Sequence, residues 1–280
     1  MASSTQPNRK EGKATPITPS HPVLSLLWQL CIREITEATK GSALGLLWIV
    51  LGPLLSMGLY VVVFGVLFEG SFDKGPMETS IHYALGVYIG LTSVNVMNDT
   101  LGRSPVLIPS KVNFVKRVIF PLPLLPIVQV AGSSFKWLVN IGLWLLFSFL
   151  LQSLTVNSLL WLPLILLPML LYALGIAWLV SSVSVYFRDV AHLVPVLTQI
   201  IFWSSGVFYS TQRVMEYPAI WNILRWNPFL LSIENTRQVV LWNEPANMDQ
   251  LAFLWISGLA VSVLGYIVFH RLKNGFSEML

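Results

Sequence analysis

Long apolar segments alternate with short polar ones along most of the chain. A bilayer core about 30 Å thick takes roughly 20 apolar residues in an α-helix, so segments of this length and apolarity predict membrane-spanning helices. We predict six spans, at residues 44–68, 81–101, 123–151, 158–181, 191–209 and 251–270. The predicted fold class is therefore an all-α membrane protein, with residues 22–280 as a single transmembrane domain.

The first residues of the chain follow two other patterns. Residues 1–21 contain no apolar run and are rich in Ser, Thr, Pro and Lys, which predicts a disordered cytoplasmic tail. In residues 22–38 the apolar positions recur at spacings of three and four, which predicts an amphipathic helix lying in the membrane interface. The alternative is a short helix packed on the cytoplasmic end of the protein. The apolar positions of this helix are Leu24, Leu27, Trp28, Cys31 and Ile35.

Residues 211–250 are too polar to form a span but contain Trp221, Trp226, Phe229 and Trp242 with apolar neighbours. The pair Asn227-Pro228 interrupts the segment near its middle. We therefore predict a re-entrant helix pair that enters the membrane from one side, before the last span.

Composition and charge support a polytopic membrane protein. Of the 280 residues, 55% are hydrophobic and 11% are charged, whereas a soluble domain has about 25% charged residues, which argues against a soluble enzyme. The net charge of +4 comes from dispersed Lys and Arg, a pattern that does not indicate nucleic-acid binding. With both termini cytoplasmic, twelve basic residues fall inside and four outside, which obeys the positive-inside rule. A single cysteine excludes an intrachain disulfide and a Cys-based metal site.

Catalytic motifs are absent from the sequence. Gly12-Lys13 is followed by Ala14, and Pro7 occupies the place of the first glycine, so the chain lacks a phosphate-binding loop. No His-based zinc motif occurs, and no predicted span carries a pair of carboxylates. An intramembrane hydrolase or a proton-coupled carrier would place such groups within the membrane. These absences argue against those classes, and we expect no cofactor or metal in this chain.

Several short segments, in order and spacing, resemble the permeases of polysaccharide-exporting ABC transporters, the type 2 exporter class. Residues 39–54 are similar to the entry of that family's first span, and Val-Tyr-Phe-Arg-Asp-Val at 185–190 is similar to the loop before its fifth. One departure is Ser205-Gly206, where the family often has Ser-Pro. Further similar segments are Phe202-Trp203 with Val207-Phe208-Tyr209, Asn227-Pro228-Phe229 with Glu234 and Arg237, and Phe276-Ser277-Glu278.

The resemblance implies a function for the whole chain. Two copies of such a permease pair with two copies of a separate ATP-binding subunit, which holds ATP and Mg²⁺. Together they export a lipid-linked polysaccharide, such as O-antigen, capsule or teichoic-acid polymer, across the bacterial inner membrane. Two alternatives remain open: an ABC permease for a small lipid or drug, and a polytopic membrane enzyme acting on lipid-linked sugars.

The resemblance also implies that the inner loops dock the ATP-binding subunit. The candidates for docking are the basic residues in the loop at 98–121 and an adjacent pair of charged residues in the loop at 182–190. The basic charge of the first loop is explained equally well by the positive-inside rule, which keeps such loops in the cytoplasm. The adjacent pair is explained equally well as the start of a helix, because Asp189 would lie at a helix N-terminus. The docking candidates are Arg103, Lys111, Lys116, Arg117, Arg188 and Asp189.

Aromatic residues on the first and fifth predicted spans are candidates for lining a glycan path. Aromatic faces suit sugar rings, but interfacial belts and helix packing account for most membrane Trp and Tyr. Lys136 is the one basic residue well within a predicted span, and Gln129 and Asn140 share its helix face. It is a candidate contact for pyrophosphate or sugar, with snorkelling as the alternative. The path candidates are Tyr60, Phe64, Phe68, Lys136, Phe202, Trp203 and Tyr209.

Overall fold

The computed structural model describes residues 22–37, 47–67, 70–72, 79–116, 121–151 and 153–280. All regular structure in these ranges is helical. The predicted tail at residues 1–21, the start of the first predicted span, Phe68 and Arg117 lie outside them. The helices are α1 (Pro22–Glu37), α2 (Trp48–Leu67, of which Val61–Leu67 is π-helical), α3 (Ser80–Leu107), α4 (Val112–Val115), α5 (Leu124–Leu150), α6 (Val156–Tyr186), α7 (Val190–Ser204), α8 (Thr211–Met215), α9 (Pro218–Leu224), α10 (Pro228–Leu241), α11 (Met248–Leu272) and α12 (Phe276–Met279).

Four helical stretches in the described ranges are long and apolar enough to cross a membrane. They are Trp48–Leu67, Leu124–Leu150, Val156–Tyr186 and Met248–Met279, and α7 is a shorter apolar helix. The helix α3 is less hydrophobic, but it is buried against α5, α6, α7 and α10. A helix enclosed by protein exposes little surface to lipid, so its lower hydropathy fits its central position.

The amphipathic helix predicted at 22–38 is confirmed as α1. It packs on α5, and the closest approach is at Gly132, where an added Cβ would lie 2.8 Å from Cγ of Glu34. Leu24 and Trp28 stay exposed on the other side of α1. The helix therefore packs on the protein and also presents apolar side chains outward.

Three helices end five or six residues away from the ends of the predicted spans: α3 ends at Leu107, α6 at Tyr186 and α7 at Ser204. The helix predicted at 81–101 continues to Leu107, because Pro105 lies within it and the chain leaves the α-helix only before Pro109. The helix predicted at 191–209 ends at Ser204, because Gly206 has a φ of +70°. Glycine adopts this left-handed conformation without the steric cost of a Cβ atom.

The longest helix, α6, packs along α11 with almost no space between the two backbones. An added Cβ at Gly175 would lie 2.5 Å from the carbonyl oxygen of Val261, and one at Gly265 would overlap the carbonyl of Gly175. Small residues allow this close approach of membrane helices. The two helices form one side of the main apolar core, which also includes residues of α3, α5 and α10.

The segment at 211–250 contains three helices, α8, α9 and α10. The first two are short and largely exposed, whereas α10 is buried and contacts α3, α6, α7 and α11. The side chain of Asn227 caps α10 by accepting from the backbone N–H of Phe229 at 2.9 Å. The Asn-Pro pair therefore starts the buried helix.

Candidate functional site

An aromatic cluster joins α2 to α7. The ring of Phe64 on α2 lies 5.2 Å from that of Phe208, which in turn lies 5.8 Å from the ring of Phe202 on α7. Trp203 lies 6.3 Å from Phe208 and is 63% exposed. The cluster consists of Tyr60, Phe64, Phe72, Tyr83, Tyr88, Phe202, Trp203 and Phe208.

The cluster includes most of the predicted path residues and adds others. Phe208 is the ring that connects the two helices, and helical periodicity does not indicate it, because it follows the end of α7. Tyr209 also lies beyond the helix, and its hydroxyl donates to the carbonyl of Trp203 at 2.7 Å. Phe68 lies outside the described residues.

Arg237 fastens the non-helical segment after α7. Its side chain is 1% exposed, and its guanidinium stacks on Phe72 with 4.3 Å to the ring centroid. The carboxylate of Glu234 lies 3.7 Å away. The guanidinium donates to four backbone carbonyls: Gly86 at 3.0 Å, Gly206 at 2.8 Å, Val207 at 2.6 Å and Tyr209 at 3.4 Å. Three of these carbonyls, those of Gly206, Val207 and Tyr209, lie in the non-helical segment after α7, where the guanidinium gives them hydrogen-bond partners.

A charged network links α1, α3 and α5. Nζ of Lys136 on α5 lies 3.8 Å from a carboxylate oxygen of Asp99 on α3, and the Ser133 hydroxyl donates to that oxygen at 2.6 Å. One turn further along α3, Arg103 forms an ion pair with Glu34 of α1 and lies 3.9 Å from Asp99. Charges within membrane helices are costly unless they are paired or face water, and each of these has a partner.

The two residues expected beside Lys136 make no side-chain hydrogen bond to it, although the Asn140 amide donates to its backbone carbonyl at 2.7 Å. Gln129 is buried and donates to the carbonyl of Thr100 at 2.7 Å. Asn140 accepts from the Tyr88 hydroxyl at 2.8 Å. Asp99 was not predicted as the partner of Lys136. The fourfold spacing of Asn95, Asp99 and Arg103 indicates a polar face on α3, but it does not indicate which residue of another helix pairs with that face.

The two loops proposed for docking lie at the same end of the molecule. Near the first loop, Leu107, Ile108 and Val115 pack in one apolar cluster with Val185 and Phe276. The hydroxyl of Ser184 donates to the carbonyl of Pro105 at 2.9 Å. Lys116, Arg188 and Asp189 are exposed there, Lys111 ends a short 3₁₀ turn, and Arg103 lies on α3 rather than in the loop.

Comparison with known proteins agrees with this architecture. The sequence model of the family described as ABC-2 type transporter matches residues 25–241. The chain belongs to the ABC-2 type transporter family. The family resemblance noted in the sequence is thereby confirmed, and it extends from α1 to the end of the buried helix α10.

The chain is also similar to two proteins from different bacteria. It is 23% identical over 259 residues to the O-antigen export system permease protein RfbA of Klebsiella pneumoniae, covering 92% of this chain and 96% of that one. It is 24% identical over 257 residues to the protein of the same name from Myxococcus xanthus, covering 91% and 95%. The likeness therefore extends over nearly the full length of both relatives.

Within this ABC-2 family member, Asp189 immediately precedes α7 and makes no side-chain capping bond. Its position supports the helix-start interpretation, while its exposure leaves it accessible to a partner. The remaining docking candidate, Arg117, lies outside the described residues.

Proposed function

We propose that this chain is the permease subunit of an ABC exporter for an O-antigen-like lipid-linked polysaccharide of the bacterial inner membrane. The observation that carries the proposal is the near full-length similarity to two O-antigen export permeases. Membership in the ABC-2 family accounts for the transport role. ATP and Mg²⁺ belong to a separate subunit, and two copies of each subunit form the exporter.

The proposed topology has six crossings, α2, α3, α5, α6, α7 and α11, with α8–α10 entering from the outer side and both termini cytoplasmic. The fifteen residues of α7 span about 22 Å at 1.5 Å per residue, less than the 30 Å of the bilayer core. The segment at 205–210 completes this crossing. Irregular backbone is tolerated at membrane depth when protein groups bond it, and the Arg237 guanidinium supports this arrangement.

The aromatic cluster is the proposed glycan path. It brings Tyr60 and Phe64 of the first crossing together with Phe202 and Trp203 of the fifth through Phe208. A path between these helices, completed by the second copy, would present ring faces to sugar C–H groups. Lys136 lies outside this cluster in the charged network, and its proposed role is to contact the charged linkage of the lipid carrier.

The first experiment is affinity purification of the tagged chain from its native membrane, with ATPase activity measured in the eluate. We expect an ATP-binding protein at about the same copy number. Recovery of the chain alone in mild detergent, without ATPase activity, would contradict the exporter and favour an enzyme acting on lipid-linked sugars.

The substrate and the path are tested in cells from which the gene for this chain has been deleted. Expression of the wild type should restore surface polysaccharide, measured by immunoblot of cell-surface glycan. Phe64→Ala with Phe208→Ala should reduce it at normal expression, whereas Phe149→Ala, which removes an exposed ring from α5, should not. Equal export by both variants would show that the cluster is not part of the path, and the assignment to the family would still stand.

A further inference from the structure

A small polar groove lies between α3 and α5 and encloses a cavity of about 150 Å³. Since each water molecule takes up roughly 30 Å³, the cavity has room for a few waters or for one compact polar group. Apart from Val96, every residue of its lining carries a polar atom in the side chain. The lining consists of Thr92, Asn95, Val96, Asp99, Ser133, Lys136, Trp137 and Asn140.

The groove lies near the middle of both helices. Asn95 lies near the midpoint of α3 and Lys136 near that of α5, and both side chains are exposed on the surface of the single chain. In a membrane protein, polar and charged side chains at this depth face a bundle interior or a water-filled cavity rather than lipid, and they mark substrate pathways. The groove therefore opens onto a hydrated space in the proposed topology.

The charges around the groove cancel. Asp99 lies 3.8 Å from Nζ of Lys136 and 3.9 Å from Arg103, which also pairs with Glu34. Two cations and two carboxylates sum to zero, so the groove itself suits a neutral polar group better than an anion. The ammonium of Lys136 has three N–H donors and is 47% exposed, so its pairing with Asp99 leaves it able to contact the charged linkage at the edge of the groove.

One buried donor in the lining lacks a hydrogen bond. Trp137 is 4% exposed, and its indole N–H has no partner among the described residues. The other two buried tryptophans of those residues, Trp144 and Trp178, each donate to a backbone carbonyl at 3.0 Å. A buried donor without an acceptor is costly. The N–H of Trp137 would therefore gain from an acceptor that a ligand brings into the groove.

The groove is continuous with the aromatic cluster through Tyr88. The hydroxyl of Tyr88 donates to Oδ1 of Asn140 in the lining at 2.8 Å, and its ring lies 6.4 Å from that of Tyr60 in the cluster. A molecule that leaves the groove along α3 therefore meets the first ring of the proposed glycan path.

We propose that this groove binds the sugar that follows the charged linkage of the lipid carrier, before the glycan reaches the aromatic cluster. The inference rests on the proposed function and adds a site that recognises the start of the glycan. Sugar hydroxyls both donate and accept, as the Asn95 amide does, and their oxygens can accept from the Trp137 N–H. These two residues are the proposed determinants of sugar binding, while Lys136 keeps its proposed contact with the linkage.

The test compares two probes, farnesyl diphosphate and the same lipid carrying one N-acetylglucosamine. Each is titrated by calorimetry into the full chain in lauryldimethylamine oxide, a detergent without a sugar headgroup that could compete. The wild type should bind the glycosylated probe with a Kd at least about tenfold lower, the effect expected of one or two net hydrogen bonds.

Two groove variants should lose this preference and still bind the probe without sugar. Asn95→Leu removes the amide from an exposed position, and Trp137→Phe removes the N–H while keeping an aromatic ring. The control Trp161→Phe removes an indole from α6, outside the groove, and should keep the preference. Should Trp137→Phe fail to fold, Asn95→Leu decides alone, because its side chain is not needed for packing.

Equal affinity of the wild type for the two probes would overturn the sugar site. An unchanged preference in the groove variants, or an equal loss in the Trp161→Phe control, would overturn it as well. Failure of both probes to bind would overturn this site together with the proposed role of Lys136. The exporter assignment is decided separately, by co-purification with the ATP-binding subunit.

Discussion

At the scale of single residues, Arg237 combines almost complete burial with four hydrogen bonds to backbone carbonyls. It connects α10 to α3 and to the segment after α7 through four carbonyls and the ring of Phe72. A lysine has a single ammonium and cannot reproduce this planar fork of donors. The residue therefore fixes the fold at the point where α7 ends.

Replacing Arg237 should destabilise the protein strongly. Arg237→Met leaves the buried Glu234 and several carbonyls without their partner, which costs on the order of 3–5 kcal/mol. The thermal unfolding midpoint in detergent should fall accordingly, and Arg237→Lys should recover only part of it. Arg225→Met, an exposed arginine stacked on Trp226, is the control and should change little. An unchanged midpoint for Arg237→Met would contradict this account.

Cys31, the one cysteine of the chain, reports on the surroundings of α1. Partial burial raises the pKa of its thiol above the ordinary value. The thiolate is the reactive form, so maleimide labelling of the folded protein should reach half its maximal rate at a higher pH than labelling of the SDS-unfolded chain. Identical pH midpoints in the two states would show that Cys31 is solvated.

At the scale of helices, the contact of α1 with α5 depends on the absence of a side chain at Gly132. Gly132→Val would force a methyl group into the stem of Glu34, a type of overpacking that costs about 1–3 kcal/mol. We expect α1 to loosen and Cys31 to label faster. Gly142→Val lies on the same helix with nothing within 4 Å of its added Cβ and should leave the rate unchanged. Equal rates in all three proteins would disprove this dependence.

The contact of α6 with α11 should tolerate an added side chain even less than the contact of α1 with α5 does. Gly265→Ala would place a Cβ on the backbone of Gly175, which no rotamer change relieves, so a loss of about 1–3 kcal/mol is expected. Gly102→Ala, on α3 with nothing within 4 Å, is the matched variant for comparison. Unfolding of both variants in detergent measures the difference in stability. Equal unfolding midpoints would contradict the close approach of α6 and α11.

The sequence predicts helices better than it predicts their ends and partners. Periodicity located α1 within one residue, and apolar length located the long helices. The end of α3 was missed because Pro105 is accommodated inside the helix. The pairing of Lys136 with Asp99 was missed because residues on different helices carry no mutual spacing signal.

At the scale of the whole molecule, both proposed docking loops lie at one end and share an apolar cluster with α12. One partner surface can therefore contact both. Lys116→Glu with Arg188→Glu should reduce co-purification of the ATP-binding subunit, measured by quantitative immunoblot. Arg225→Glu, on the predicted outer side, should not. If the double variant recovered as much of the ATP-binding subunit as the wild type, these loops would have no role in docking.

The contact between α6 and α11 also has a consequence for biogenesis. The backbones of the two helices are in contact at Gly175 and Gly265. The ribosome adds Gly265 ninety residues after Gly175. During that interval the groove at Gly175 faces lipid or a chaperone. The main core therefore closes only when α11 has been inserted, so that assembly in the membrane ends with the packing of the last long helix.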